Sequence, residues 1–150
     1  MVDVSTKEVT VRTALAAGDV VMQRATAEMI RGGNAKKGDV LGIARLAAIS
    51  ATKLTQQLIP LCHAIPIEAV NVDFHWSPTD DDSPAILRCQ VQVRTSAKTG
   101  IEMEAMTAAS IACLTVYDMV KSVDREVSIG PILLLEKSGG KSGQFRRTGR

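Results

Sequence analysis

Two runs of alternating residues, separated by a short acidic loop, constrain this chain more than any other feature. In the first, Val70, Val72, Phe74 and Trp76 alternate with Asn71, Asp73 and His75. In the second, Leu87, Cys89, Val91 and Val93 alternate with Arg88, Gln90, Gln92 and Arg94. A period of two puts each apolar set on one face of an extended segment, so both runs read as strands. The stretch from Pro78 to Pro84 holds three consecutive Asp and reads as a solvated hairpin loop. The apolar face of such a ribbon has to be covered by the rest of the chain.

The flanking segments supply that cover. From Val9 to Met22 the pattern partly alternates, with Val9, Val11, Thr13 and Leu15 on one side and Thr10 and Arg12 on the other. This predicts a strand interrupted near Gly18. Arg24 to Ile30 reads as a short helix stopped by Gly32 and Gly33. A longer helix is predicted from Asp39 to Ile59, with Val40, Ile43, Ala47, Ala51, Leu54 and Leu58 at helical spacing and Pro60 ending it. Another runs from Ile101 to about Val123, where Thr99 and Glu102 form a capping-box pattern. A last apolar strand spans Val127 to Leu135 and leads into a Gly-, Ser- and Lys-rich stretch. The order strand, helices, strand, strand, helix, strand predicts an α+β, ferredoxin-like split βαβ fold, an antiparallel sheet with helices on one face. We expect one domain over residues 1–150, with a basic, flexible tail from about Lys137.

Composition narrows the function. A chain of 150 residues buries about 70% of its unfolded surface. Two Phe, one Tyr and one Trp stand against eighteen Ala, so the core is aliphatic and built by close approach of small side chains. Few platforms remain for stacking on nucleobases. The formal charge of +2 hides five basic residues and no acid from Lys137 to Arg150; the remainder has 13 basic and 16 acidic residues. Cys62, Cys89 and Cys113 are odd in number and form no CxxC pair, which argues against a disulfide framework or structural zinc. The polar N-terminus lacks a signal-peptide pattern, and no apolar run suggests a membrane span. A soluble, cytoplasmic protein in a reducing compartment is expected.

Several residues could carry chemistry. The GGKSG segment fails as a P-loop, because the motif would need Gly where Leu135 stands and no helix has room to follow. Its lysines among glycines can still approach a phosphate. His63 lies in a short irregular connection between Pro60 and Pro66, a better place for a functional side chain than the strand position of His75. Asp118 and Lys121 are three apart on one helix face, which suits either a plain surface ion pair or an acid–base pair. Glu104 and Asp118 are fourteen residues apart, which on a helix means ~21 Å along the axis. One small ligand cannot touch both within a chain.

Together the strings MVDVS at the start, KGDV at Lys37, LIPLCH from Leu58 to His63, KTGIEMEAMTAAS from Lys98 to Ser110, YDM at Tyr117 and KSGGKSG at Lys137 resemble the MoaC family. The likeness covers nearly the whole chain in order; Ala64 stands where that family usually has Pro. It implies a lyase of molybdenum cofactor biosynthesis that converts a cyclic 7,8-dihydroguanosine triphosphate to cyclic pyranopterin monophosphate and releases pyrophosphate. It also implies a homo-hexamer, a trimer of dimers, with active sites between subunits. By resemblance Asp118 is the catalytic aspartate and Lys121 its partner. Leu61, Cys62, His63, Met103 and Glu104 match substrate-binding segments, and Arg12, Lys37, Lys137 and Lys141 match basic positions near the triphosphate. No cofactor or metal ligand is assigned; a Mg²⁺ ion with the triphosphate stays open.

Two other classes compete. A ferredoxin-like nucleic-acid-binding module would need the paired aromatic run of RNA-recognition domains, which is absent. A non-catalytic oligomeric adaptor would leave the acidic and basic motif residues without a role.

Overall fold

The alternating runs pair in the register their pattern requires. In the computed structural model, which describes residues 1–78, 80 and 83–148, β2 (Ala69–Trp76) and β3 (Ala85–Ala97) are antiparallel, with Val72 opposite Val91 and Phe74 opposite Cys89. Thr79, Asp81 and Asp82 of the connecting loop lie outside the described residues. Strand β1 (Thr10–Met22) pairs with β3 along its whole length, from Thr10 opposite Ala97 to Met22 opposite Ala85. The other elements are α1 (Arg24–Arg31), α2 (Val40–Leu58), α3 (Glu102–Val120), β4 (Ser128–Ile129), β5 (Leu133–Ser138) and β6 (Phe145–Arg146). The sheet order is β2-β3-β1-β5-β6, with β4 also beside β1. All described pairings are antiparallel, consistent with the ferredoxin-like α+β reading.

Strand β1 differs from expectation in two ways, both with one cause. It is not interrupted at Gly18, and its buried face carries Arg12, Ala14, Ala16, Gly18, Val20 and Met22, whereas Val9 and Val11 are exposed. The middle of the buried face has to meet α3 closely, so Ala14, Ala16 and Gly18 stand there, while Val9 and Val11 lie outside the contact. A Cβ on Gly18 would lie 2.5 Å from Ile132 Cδ1 and 2.7 Å from Cys113 Sγ. From the helix side Ala105, Ala108, Ala109 and Ala112 are fully buried in the same core.

Helix α2 packs on α3 through small residues as well, burying Val40, Ala44, Ala48 and Ala51. Of the residues at helical spacing, Ile43, Leu54 and Leu58 are exposed, together with Leu46. Asp39 caps this helix, its Oδ1 accepting from the Gly42 N–H at 2.9 Å. Helix α3 reaches the length and hydropathy of a membrane span, contrary to the sequence expectation, but ten of its residues are buried in the protein's own core.

The capping box does not form. Ile101 is the N-cap of α3 and makes no side-chain cap bond. The Glu102 carboxylate instead accepts from Lys137 Nζ at 2.6 Å. The final strand is divided around Pro131, which lacks the N–H a continuous ladder would use. The expected flexible tail is, in its described part, a folded hairpin. Strand β5 runs through Ser138, and Glu136 and Lys137 pair with Arg146 and Phe145 of β6. Gly139 and Gly140 take φ of 101° and 71°. A side chain at Gly140 would collide with the Arg12 guanidinium, so the turn can close over Arg12 only as glycine.

The contact at Gly18 makes a direct prediction. Gly18→Val should destabilise the fold by about 1–3 kcal/mol through overpacking, read as a lower urea midpoint at unchanged slope.

Candidate active site

Asp118 stands in the last turn of α3, half exposed, where backbone carbonyls lack helical partners. Lys121 Nζ pairs with its Oδ1 at 2.7 Å. Lys37, from the loop between α1 and α2, reaches Oδ2 at 2.7 Å and the Asp118 carbonyl oxygen at 2.8 Å. Two ammonium groups at a helix C-terminus also suit the negative end of its dipole. The hydrogen bond from Lys121, and then that from Lys37, hold the Asp118 carboxyl down at about 2. Asp118 in turn holds the Lys121 ammonium above its ordinary range. The result is a carboxylate held toward its charged form between two lysines, with Lys121 favoured as the ammonium, which is more than an isolated surface pair.

At the opposite end of α3 lies a basic cavity of about 780 Å³. Arg12, Lys98, Lys137, Lys141 and Lys7 line it, outnumbering its two acids, Glu8 and Glu102. Arg12 is buried, its Nε donating to the Ala97 carbonyl at 3.2 Å and its Nη2 to the Lys98 carbonyl at 3.4 Å. These bonds fix a guanidinium beside the positive end of the α3 dipole, an arrangement suited to phosphate oxygens. Lys137 is held by Glu102, and Lys141 is exposed.

A smaller cavity of about 250 Å³ opens between α2 and the loop after it. His63 and Glu104 line it, facing Thr52, Lys53 and Gln56. Glu104 is only 3% exposed. Burial, and secondarily the charge of Glu102, push its carboxyl up. The half-buried Cys62 thiol is likewise pushed up by burial and by Glu104. His63 Nε2 lies 2.8 Å from the Val2 carbonyl oxygen. Leu61 is 71% exposed and Met103 is half-buried; neither lines these two cavities. Among the described residues no group of three or more His, Cys, Asp or Glu side chains is placed to hold a metal ion.

Residues 1–140 match the profile of the MoaC family. A cyclic pyranopterin monophosphate synthase of Rhodopirellula baltica is 60% identical over 152 aligned positions, covering 98% of this chain and 87% of the relative. One from Methylobacterium sp. (strain 4-46) is 55% identical over 145 positions, covering 97% and 88%. The chain belongs to the MoaC family.

The MoaC motifs fall into three places rather than one. Of the four basic positions expected together, Arg12, Lys137 and Lys141 share the large cavity. Lys37 does not join them; its side chain is committed to Asp118. His63 and Glu104 share the small cavity, and Asp118 with Lys121 stands on open surface. Sequence reasoning passed over Lys7, Thr10 and Lys98 in the basic cavity and Lys53 in the small one. For Lys98 the signal was present, because it opens the MoaC string KTGIEMEAMTAAS.

Burial of Glu104 sets the sign of a pH effect. Its folded-state pKa is raised, so the native protein binds the proton more tightly and loses relative stability as pH rises from the unfolded carboxyl's range through the raised value. Glu104→Gln lacks that loss. The variant's Tm relative to the parent should therefore climb between pH 4 and pH 7, and a constant difference would contradict the assignment.

Proposed function

We infer that this chain is a lyase of molybdenum cofactor biosynthesis. It converts a cyclic 7,8-dihydroguanosine triphosphate to cyclic pyranopterin monophosphate and releases pyrophosphate. The observation that carries the reading is 60% identity, across 98% of the chain, to a relative named cyclic pyranopterin monophosphate synthase. The geometry supports it with two kinds of chemistry at the two ends of α3: a charged acid–base cluster at Asp118 and a lysine- and arginine-lined cavity at Arg12.

Rebuilding a guanine-derived ring system as a pterin requires protons to move on nitrogen and carbon. Lys121, kept protonated by Asp118, is assigned as the general acid, and Lys37 steadies the same carboxylate. Closing the cyclic phosphate forms a bond from a substrate hydroxyl to the α-phosphorus and breaks the bond to pyrophosphate. The charge developing on the departing pyrophosphate is met by Arg12, Lys137 and Lys141. We assign no resident cofactor in these steps, and we place the reaction in the cytoplasm.

The site is assigned to more than one subunit. Glu104 and Asp118 lie on one helix, ~21 Å apart along its axis, so a single chain cannot offer both to one nucleotide. A homo-hexamer built as a trimer of dimers supplies the second chain. The exposed row Ile43, Leu46, Leu54 and Leu58 on α2 is the kind of surface subunits cover.

A nucleic-acid module fits less well. Phe74 and Trp76 turn toward the core, and each lies beneath an arginine, Arg45 at 5.3 Å and Arg31 at 4.3 Å from the ring centroids. They offer no free stacking face.

Incubating the protein with the cyclic dihydroguanosine triphosphate should yield product and pyrophosphate in equal amounts. Asp118→Ala and Lys121→Ala should each lower kcat on the order of 10²–10⁴-fold while remaining folded. Near-normal pyrophosphate release by both folded variants would overturn the assignment.

A further inference from the structure

The first residues of the chain form a strap whose hold depends on polar contacts. Met1 and Val2 are 75% and 73% exposed, so burial does not fix them. Asp3 Oδ1 accepts from the Ser5 N–H at 2.8 Å, and the Lys7 N–H donates to the Val4 carbonyl at 3.1 Å, which folds the strap into tight turns. The Ser5 backbone bond also keeps the Asp3 carboxyl below its ordinary range. Two longer-range contacts tie the strap down. Lys98 Nζ donates to the Ser5 carbonyl at 2.8 Å, and the Val2 carbonyl meets His63 Nε2 at 2.8 Å.

We propose that residues 1–5 fix the tautomer and orientation of His63, and that Lys98 is the positioning residue that anchors this strap to the end of β3. The inference rests on reading the His63–Glu104 cavity as part of the synthase site. A backbone carbonyl can only accept, so Nε2 of His63 must carry hydrogen; in the neutral ring Nδ1 is then left as an acceptor. The histidine sits on a loop without regular structure between α2 and β2, so no helix or strand sets its ring. The strap supplies that constraint. Lys98 suits the anchoring role because its own carbonyl already accepts from the buried Arg12, which places the anchor on rigid backbone.

Two histidines in the chain make the test clean, since His75 on β2 serves as an internal reference. Nitrogen-15 imidazole spectra of the intact protein near pH 8 should show His63 as the Nε2–H tautomer. Deleting residues 1–5 should shift only His63 toward a mixture of tautomers and lower kcat roughly tenfold or more. Pyrophosphate affinity, measured by calorimetry, should stay within about twofold because the lining of the basic cavity remains. Lys98→Met should reproduce the His63 shift, and Lys98→Arg, which keeps a cationic donor, should largely restore it. An unchanged His63 spectrum, or an unchanged kcat, in the folded deletion variant would overturn the proposal. The spectra need no turnover, so an intact protein inactive on the cyclic triphosphate would refute the synthase reading separately.

Discussion

The close approach of α3 to the sheet is the constraint on which the structure depends. At Gly18 the strand has no room for even a methyl group without meeting Ile132 and Cys113. Along the helix Ala105, Ala108, Ala109 and Ala112 remove bulk from the other side. Small residues on both partners let many atoms reach van der Waals contact at short axial separation, so packing comes from proximity rather than from large side chains. The scarcity of aromatic residues follows from that choice. Val9, Val11, Ile43 and Leu46 meanwhile stay exposed, outside this contact.

A helix held this tightly acts as a rod that spaces the functional groups. Its N-terminal end carries Glu102 in the Arg12 cavity and Glu104 in the His63 cavity, and its C-terminal end carries Asp118 with Lys37 and Lys121. The dipole of the same helix favours anions at the first end and lysines at the second. Fold and electrostatics are therefore both compatible with the proposed placement of phosphate binding at the first end and proton transfer at the second. The environments also differ: Glu104 is buried and pushed toward its neutral form, whereas Asp118 is exposed and locked in its charged form. Two carboxyls on one helix are thus suited to different tasks.

Much of this was legible in the sequence, and the failures share physical causes. The period-two runs gave β2 and β3 with the right faces, because a half-buried strand must alternate. On β1 and α2 the spacing groups apolar residues without saying which are buried, and the tertiary contact with α3 takes mainly alanine and glycine. The capping box failed because Lys137, distant in sequence, competes for Glu102. The basic tail read as solvated, yet pairing with β1 and a glycine turn over Arg12 order it through residue 146. For the candidate site, motif resemblance supplied the residues but not their grouping. That Lys37 meets Asp118 within one chain depends on a loop 81 positions away in sequence being brought to the end of α3.

We propose that chemistry divided between the ends of α3 is completed by a second subunit. Mixing two variants inactive on their own, Glu104→Ala and Asp118→Ala, under conditions that allow subunit exchange tests it most directly. Sites that pair an intact Glu104 from one chain with an intact Asp118 from another should restore a measurable fraction of pyrophosphate release. Confirmed exchange with no recovery of activity would contradict the shared site.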